Sequence, residues 1–229
     1  MTGLRERNKA LRVEAILDAA VELLDERPLD DVTTDAIADR AGVATATVYN
    51  LVGTRERLLR AIVDRVVERL VDGVAEAAAR DEDPIAVAHF VVDHSVAAFT
   101  EHSTAYRRIV AAGRSVDDGA IHDVADPSSL QVAALRGAQE TGVLRADLDI
   151  AGLGRQIYIS WIGAMQHWAN GWLDDEGFAL ATRHGLLTVL TAASVDAERE
   201  RFATELAAVG SALEQHWTGG RSGPATPGS

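Results

Sequence analysis

A chain of 229 residues, 47% of them hydrophobic, is long enough for one large or two modest domains with a real core. It has no cysteine, no apolar run near the roughly 20 residues needed to span a bilayer and no apolar leader after Met1, which leaves out disulfide scaffolds, thiolate chemistry and membrane spans and predicts a cytoplasmic protein. The net charge of −13 looks wrong for a nucleic-acid binder, but residues 1–60 carry nine Arg/Lys against eleven Asp/Glu, so the acidity lies mostly beyond them.

Residues 1–7 are expected to fray. From about Asn8 to Glu26, Ile16, Ala19, Ala20, Leu23 and Leu24 recur with a 3.6-residue period and predict a helix that Arg27–Pro28 ends. Leu29 to Val32 form a link, with Val32 buried. The stretch from Thr33 to Leu59 then reads as a helix, a glycine turn, a short helix and the start of a third. Ile37 and the small Ala38 face inward on the first of these. Gly42 supplies the left-handed backbone of the turn, and Val48 faces inward eleven residues after Ile37. This is helix-turn-helix spacing, and it offers the second helix, about Thr45 to Leu51, to a DNA major groove.

The chemistry of that helix fits base and phosphate contact. Thr45, Ala46 and Thr47 stand at its N-terminal end, where hydroxyls can meet base edges and methyl groups a thymine methyl. Tyr49 and Asn50 can reach phosphate oxygens. Thr33 and Thr54 are expected N-caps of the flanking helices, and Arg55 and Arg57 add positive charge beside the second. Further cations cluster at Arg5, Arg7, Lys9 and Arg12, near enough for an arm or first turn along a phosphate backbone. The plainer alternative is an ordinary three-helix piece with capping threonines.

Beyond Thr54 a long helix is expected to about Arg80, with Leu58, Leu59, Ile62, Val63, Val66 and Leu70 on its core face. Asp83 and Pro84 open the next, to about Glu101. Shorter helices follow at about Thr104–Ala112 and Ser128–Glu140, separated by a loop from Gly113 to Pro127. Three more are expected, one preceded by Asp147 to Asp149 and ending near Asn170–Gly171, one from about Asp174 to Ala193 and one from about Asp196 to Trp217. The Gly/Pro/Ser-rich tail 218–229 is expected to be disordered. The fold class is therefore all-α. The helix through Gly185–Ala193 is apolar on nearly every face, which one small chain has difficulty covering, so a dimer is expected to cover the extra face.

The segment Thr33–Leu59 resembles the DNA-binding domain of the TetR family of bacterial transcriptional regulators. The matching residues are Thr33 and Thr34, Ile37–Ala38, Ala41–Gly42–Val43, Thr47–Val48–Tyr49, and Gly53, Arg55, Glu56, Leu58 and Leu59. The resemblance reaches upstream to Ile16–Leu24 and weakly over the rest. Ala44 and Thr45 depart from it, standing where the family usually has serine and a lysine or similar residue. Val52 replaces an aromatic residue.

The resemblance implies a DNA-binding head (1–53) with Thr33, Thr34, Ala44, Thr45, Ala46, Thr47, Tyr49, Asn50, Thr54 and Arg55 at the DNA. It implies a connecting helix (54–80) and a helical ligand-binding and dimerisation domain (81–217). The expected partners are double-stranded DNA with a palindromic operator, a second copy of the chain through a four-helix interface, and a largely apolar small-molecule effector. The expected function is a repressor released from its operator by that effector. The alternative is an interaction protein that keeps the fold but has lost DNA reading.

Candidate ligand-lining residues are Phe90, Asp93, His94, Ala97, Tyr106, Ile109, Leu130, Ala134, Trp161, Met165 and Trp168, each of which can equally be core packing. His89 and Asp93 stand four apart, but two ligands do not complete a metal site, so neither metal nor cofactor is expected. His122 and His167 add no ligand spacing. No G-x-S-x-G or H-E-x-x-H is present, and Gly152-Leu153-Gly154 continues to Ile157 where a third glycine would stand, so these glycines read as loop and close-packing residues of a non-enzyme.

Overall fold

A computed structural model describes residues 2–79, 83–112 and 128–217. Among these are ten α-helices and one short 3-10 turn: α1 (Thr2–Glu26), the turn Leu29–Asp31, α2 (Thr34–Ala41), α3 (Thr45–Leu51), α4 (Arg55–Ala79), α5 (Pro84–Thr100), α6 (Ser103–Ala111), α7 (Ser129–Glu140), α8 (Ile150–Ala169), α9 (Asp175–Ala193) and α10 (Asp196–His216). The described residues form no β-strand, only two isolated bridges. The all-α expectation holds. The expected loop at 113–127 and the tail at 218–229 lie outside the described residues. No described helix is long and apolar enough to cross a membrane.

Helix α1 corrects the expected fraying. It begins at Thr2, and after Gly3 no glycine or proline interrupts the good helix formers up to its core-facing half. Residues 3–12 are nonetheless all exposed, and the first fully buried side chain is Ile16.

The chain divides into two compact units. The first contains residues 1–68 and 98–124. Its core is built from Ile16, Ala20, Leu23 and Leu24 of α1, Ile37 and Ala38 of α2, Val48 of α3 and Leu58, Leu59 and Ile62 of α4. Helix α6 belongs here because it and α1 cap one another. Asp25 accepts from the Ala105 amide at 2.8 Å, and its other oxygen lies 2.6 Å from His102 Nδ1. Arg108 in turn donates to the free carbonyls at the end of α1, Leu24 and, at 2.8 Å, Arg27. Arg65 of α4 is buried and donates to Asp18 at 2.6 Å and Glu14 at 3.3 Å, tying α4 to α1.

The second unit contains residues 69–97 and 125–229. Its core gathers Val74, Ile85, Ala88 and Val92 with Leu135, Ala138, Ile157, Leu186, Leu190 and Phe202. Helices α7, α8, α9 and α10 pack in sequence order, each on the next. The glycines at 152 and 154 are not in a loop. They lie within α8, and Gly154 lets α8 approach the backbone of Val132 so closely that a Cβ would sit 3.0 Å from its nitrogen. Helix α9 packs against both α8 and α10, with Phe178, Leu186, Leu187, Val189, Leu190 and Ala193 buried, while Thr188 and Ala192 stay exposed.

Candidate nucleic-acid interface

The first unit holds a bihelical motif whose geometry follows from local sequence. Thr33, in extended backbone, accepts from the Ala36 amide at 3.2 Å and starts α2. Gly42 ends it with φ 67° and ψ 33°, the left-handed conformation that a side chain resists, and the Val43 amide returns to the Ala38 carbonyl at 3.0 Å. Ile37, Ala38 and Val48 are buried at the crossing, so α3 is fixed by its inward valine while Ala46, Tyr49 and Asn50 remain exposed. Thr54 starts α4 by accepting from the Arg57 amide at 3.4 Å, and Gly53 before it has φ 88°.

The expected DNA-contacting residues fall into two sets. Thr33, Thr34, Thr54 and Arg55 line one small cleft of about 190 Å³ where the starts of α2 and α4 meet. Arg55 there donates to the Leu29 carbonyl and pairs with Asp30 at 3.6 Å, bracing the turn before α2. The other set is on α3. Ala46 and Asn50 are exposed, Tyr49 is 57% exposed, and Thr45 and Thr47 are half-buried. Ala44, at the N-cap, is exposed and makes no side-chain cap. Thr45 departs from the sequence reading, since its hydroxyl donates to Asp35 Oδ1 at 2.8 Å. Its proton is engaged by Asp35 of α2, which leaves the oxygen as an acceptor only. Asp35 was not singled out by sequence. It carries no periodic signal, and only the fold brings it to α3.

Electrostatics around the motif are mixed. Arg40 bridges Glu22 at 3.1 Å and Glu26 at 2.9 Å, and its hydrogen bond holds the Glu26 carboxyl below its ordinary range. Burial pushes the Asp64 carboxyl up.

The expected ligand-lining residues are not one cluster. Tyr106 and Ile109 are buried in the first unit, Tyr106 edge-on to Phe99 with ring centroids 5.1 Å apart. The remainder belong to the second unit. There Phe90 and His94 stack at 5.0 Å against Gly73, while Asp93 accepts from Arg183 at 2.7 Å. Met165 and Trp168 are fully buried. Trp168 stacks on Phe178 at 5.1 Å and donates to Asp175 at 2.7 Å, so it is core with a satisfied indole. Trp161 is half-buried and tilted on Phe178 at 6.0 Å. Leu130 and Ala134 pack in the core around α7, and Ala97 is exposed. Burial lowers the His89 pKa, with Asp93 opposing, and among the described residues no group of three metal-ligating side chains occurs. His122 lies outside the described residues.

One polar residue in this unit was missed. Gln131 is buried, its Nε2 donates to the Ala88 carbonyl at 3.2 Å, and its Oε1 accepts no hydrogen bond among the described residues. The available signal was a glutamine inside the apolar stripe Leu130, Ala134, Leu135, Ala138.

Three comparisons bear on these observations. Residues 16–62 match the family model for bacterial regulatory proteins, tetR family. The HTH-type transcriptional regulator AlkX of Mycobacterium tuberculosis is 36% identical over 69 residues, 30% of this chain and 33% of that protein. The chain thus matches only about a third of that relative's length. Among solved structures, a TetR transcription regulator from Haloarcula marismortui superposes with a TM-score of 0.65 at 22% identity, over 81% of this chain and 100% of that one. Thermus thermophilus FadR, a repressor solved with lauroyl-CoA, gives 0.60 at 19% identity over 94% and 100%. At those identities the two structures speak for the fold alone.

Proposed function

We propose that the chain, whose residues 16–62 match the family model for bacterial regulatory proteins, tetR family, is a dimeric, sequence-specific DNA-binding transcriptional regulator. The observation that carries this reading is the turn at Gly42. It buries Ile37, Ala38 and Val48 at the crossing and leaves Ala46, Tyr49 and Asn50 open on the second helix. An exposed face with a phenol, an amide and small methyl-bearing side chains suits base edges and phosphate oxygens together. Two copies related by a two-fold axis would present two such helices about one DNA turn, roughly 34 Å, or a multiple of it apart, and read a palindrome.

The regulator acts as a repressor released by a largely apolar small molecule bound in the second unit. Two features support this. The unit has aromatic and aliphatic side chains in α5, α7 and α8, and FadR, which shares the fold, is a repressor solved with lauroyl-CoA. Helix α4 runs from Arg55 to Ala79 without a break. A ligand that prefers a different setting of α4 alters the spacing of the two reading helices and releases the operator. A coupling of about 1–3 kcal/mol is sufficient.

The experiment is binding of the full chain to the DNA flanking its own gene and to a scrambled duplex, at several salt concentrations. Tight, sequence-dependent binding that falls at least about fivefold in each of Tyr49→Ala and Asn50→Ala is expected, each lost contact being worth about 1–3 kcal/mol. Equal affinity for both duplexes, with no sites found genome-wide, would favour the interaction protein that has kept the fold and lost the reading.

A further inference from the structure

The cations of the first unit divide by their company. Arg40, Arg55 and Arg65 are each held by carboxylates of the same unit. Among the described residues, no ion pair or hydrogen bond engages Arg5, Lys9 or Arg12. These three recur at i, i+4 and i+7 of α1, with Asn8 at i+3, so all four share one face of the helix. That face lines a cleft of about 450 Å³ whose opposite wall is α3. Thr47 and Asn50 stand on the α3 wall, beside the aliphatic Leu51. Neither Glu6 nor Glu14 lines it.

We propose that this cleft grips the sugar–phosphate backbone of one DNA strand flanking the groove that α3 enters, so that the exposed first turns of α1 extend the binding surface. This rests on the DNA-binding reading above and deepens it. Dimensions favour the occupant. Arg5 and Arg12 are seven residues apart, which on a helix is roughly 10 Å, and one strand places a phosphate about every 3.4 Å of axis. Three cations therefore face about three phosphates. Asn8, Thr47 and Asn50 supply neutral donors, the second kind of group that positions a phosphate backbone. Charge points the same way. In a chain of net −13, three unneutralised cations on one wall beside the candidate reading helix complement a polyanion. The site carries no base-reading chemistry of its own, so it contributes affinity and register without sequence preference.

The test uses the full chain, a duplex recovered by the wild-type protein from a random-sequence pool, and a scrambled duplex of equal length. Binding to both is titrated across salt concentrations for the wild type, for Arg5→Gln/Lys9→Gln/Arg12→Gln and for Arg40→Gln. All three positions of the triple variant are exposed, so its thermal melting is expected to match the wild type. The slope of log K against log salt is expected to flatten by about 2–3 in the triple variant on both duplexes, at about 0.9 per phosphate lost. The ratio of affinities for the two duplexes is expected to stay unchanged, and Arg40→Gln to keep the wild-type slope. A triple variant with the wild-type slope overturns the clamp and leaves the regulator standing. A wild type that binds both duplexes alike, with the slope lost in the triple variant, supports the clamp and overturns sequence reading. Recovery of no duplex from the pool, with no binding to the scrambled duplex, overturns both.

Discussion

Thr45 opens the candidate reading helix, and its hydroxyl donates to Asp35 Oδ1, 2.8 Å away on the preceding helix. The bond spans the glycine turn and adds a polar tie to the apolar one made by Ile37 and Val48. It is exposed, so its net worth is that of an ordinary hydrogen bond, about 0.5–1.5 kcal/mol. A double-mutant cycle with Asp35→Ala and Thr45→Val, read by denaturant unfolding, is expected to return a coupling in that range. Additive single effects would show that the two side chains do not support each other in solution.

Ala44 precedes that threonine with φ −73° and ψ 145°, the extended backbone of a capping residue, yet its methyl group caps nothing. The family resemblance places serine there. Ala44→Ser is expected to stabilise the first unit by about 1 kcal/mol, because a hydroxyl can accept from an amide of the first turn of α3. Thermal melting or urea unfolding measures it. An unchanged midpoint would mean that water already satisfies those amides equally well.

The parts of this fold that were legible in sequence are those written in local pattern. Val32, Ile37, Val48 and Gly42 could be assigned because a 3.6-residue period and a turn glycine are properties of neighbours along the chain. Thr33, Thr54, Asp149 and Asp174 could be expected at helix starts for the same reason, and Thr33, Asp149 and Asp174 each accept an amide two or three residues on. What could not be read depends on partners far away in sequence. The packing of α6 on α1 rests on Asp25 and Arg108, about eighty residues apart. Gly154 looks like a loop residue until the backbone of Val132 is set against it. The hydroxyl of Thr45 looked free because Asp35 approaches it from another helix. At the candidate interface, sequence found the α3 residues and the α1 cations separately, and only the fold brings them to one cleft.

Two glycines of α8 are expected to respond in opposite directions to the same substitution. A Cβ at Gly154 would lie 2.5 Å from Val132 Cγ2 and 3.1 Å from its Cα, so Gly154→Ala must push α7 and α8 apart. Overpacking costs about 1–3 kcal/mol, and the gain in helix propensity, at most about 1 kcal/mol, offsets only part of it. A Cβ at Gly163 meets nothing within 4 Å, so Gly163→Ala is expected to raise the melting temperature. Sedimentation of the second variant adds a check on the proposed dimer. If a second copy packs tightly on Gly163, the substitution weakens association even as it favours the helix.

The end of α10 is fastened to the start of α9 by charge, which makes that contact sensitive to pH. His216 Nδ1 lies 3.1 Å from one Asp174 oxygen and 3.2 Å from the other, with Glu176 3.7 Å from Nε2. The hydrogen bond to Asp174 raises the imidazole above its ordinary 6.5, aided by the charges of Asp174 and Glu176 and opposed by burial. Burial pushes the Asp174 carboxyl up, but the Gly177 amide and His216 together hold it below its ordinary 3.8. The histidine therefore contributes stability that is fully present below 6.5 and is lost as pH rises through its raised value. The carboxylate contributes stability present above 3.8 and lost as pH falls through its lowered value. The fastening is strongest between those two pH values, and His216→Ala is expected to be most destabilising there relative to the wild type. Melting temperatures of both proteins across pH measure it, with the difference shrinking on the alkaline side as the imidazolium loses its proton. A difference that stays constant from about pH 5 to about pH 9 would mean that His216 acts through packing against Gly177 and not through its charge.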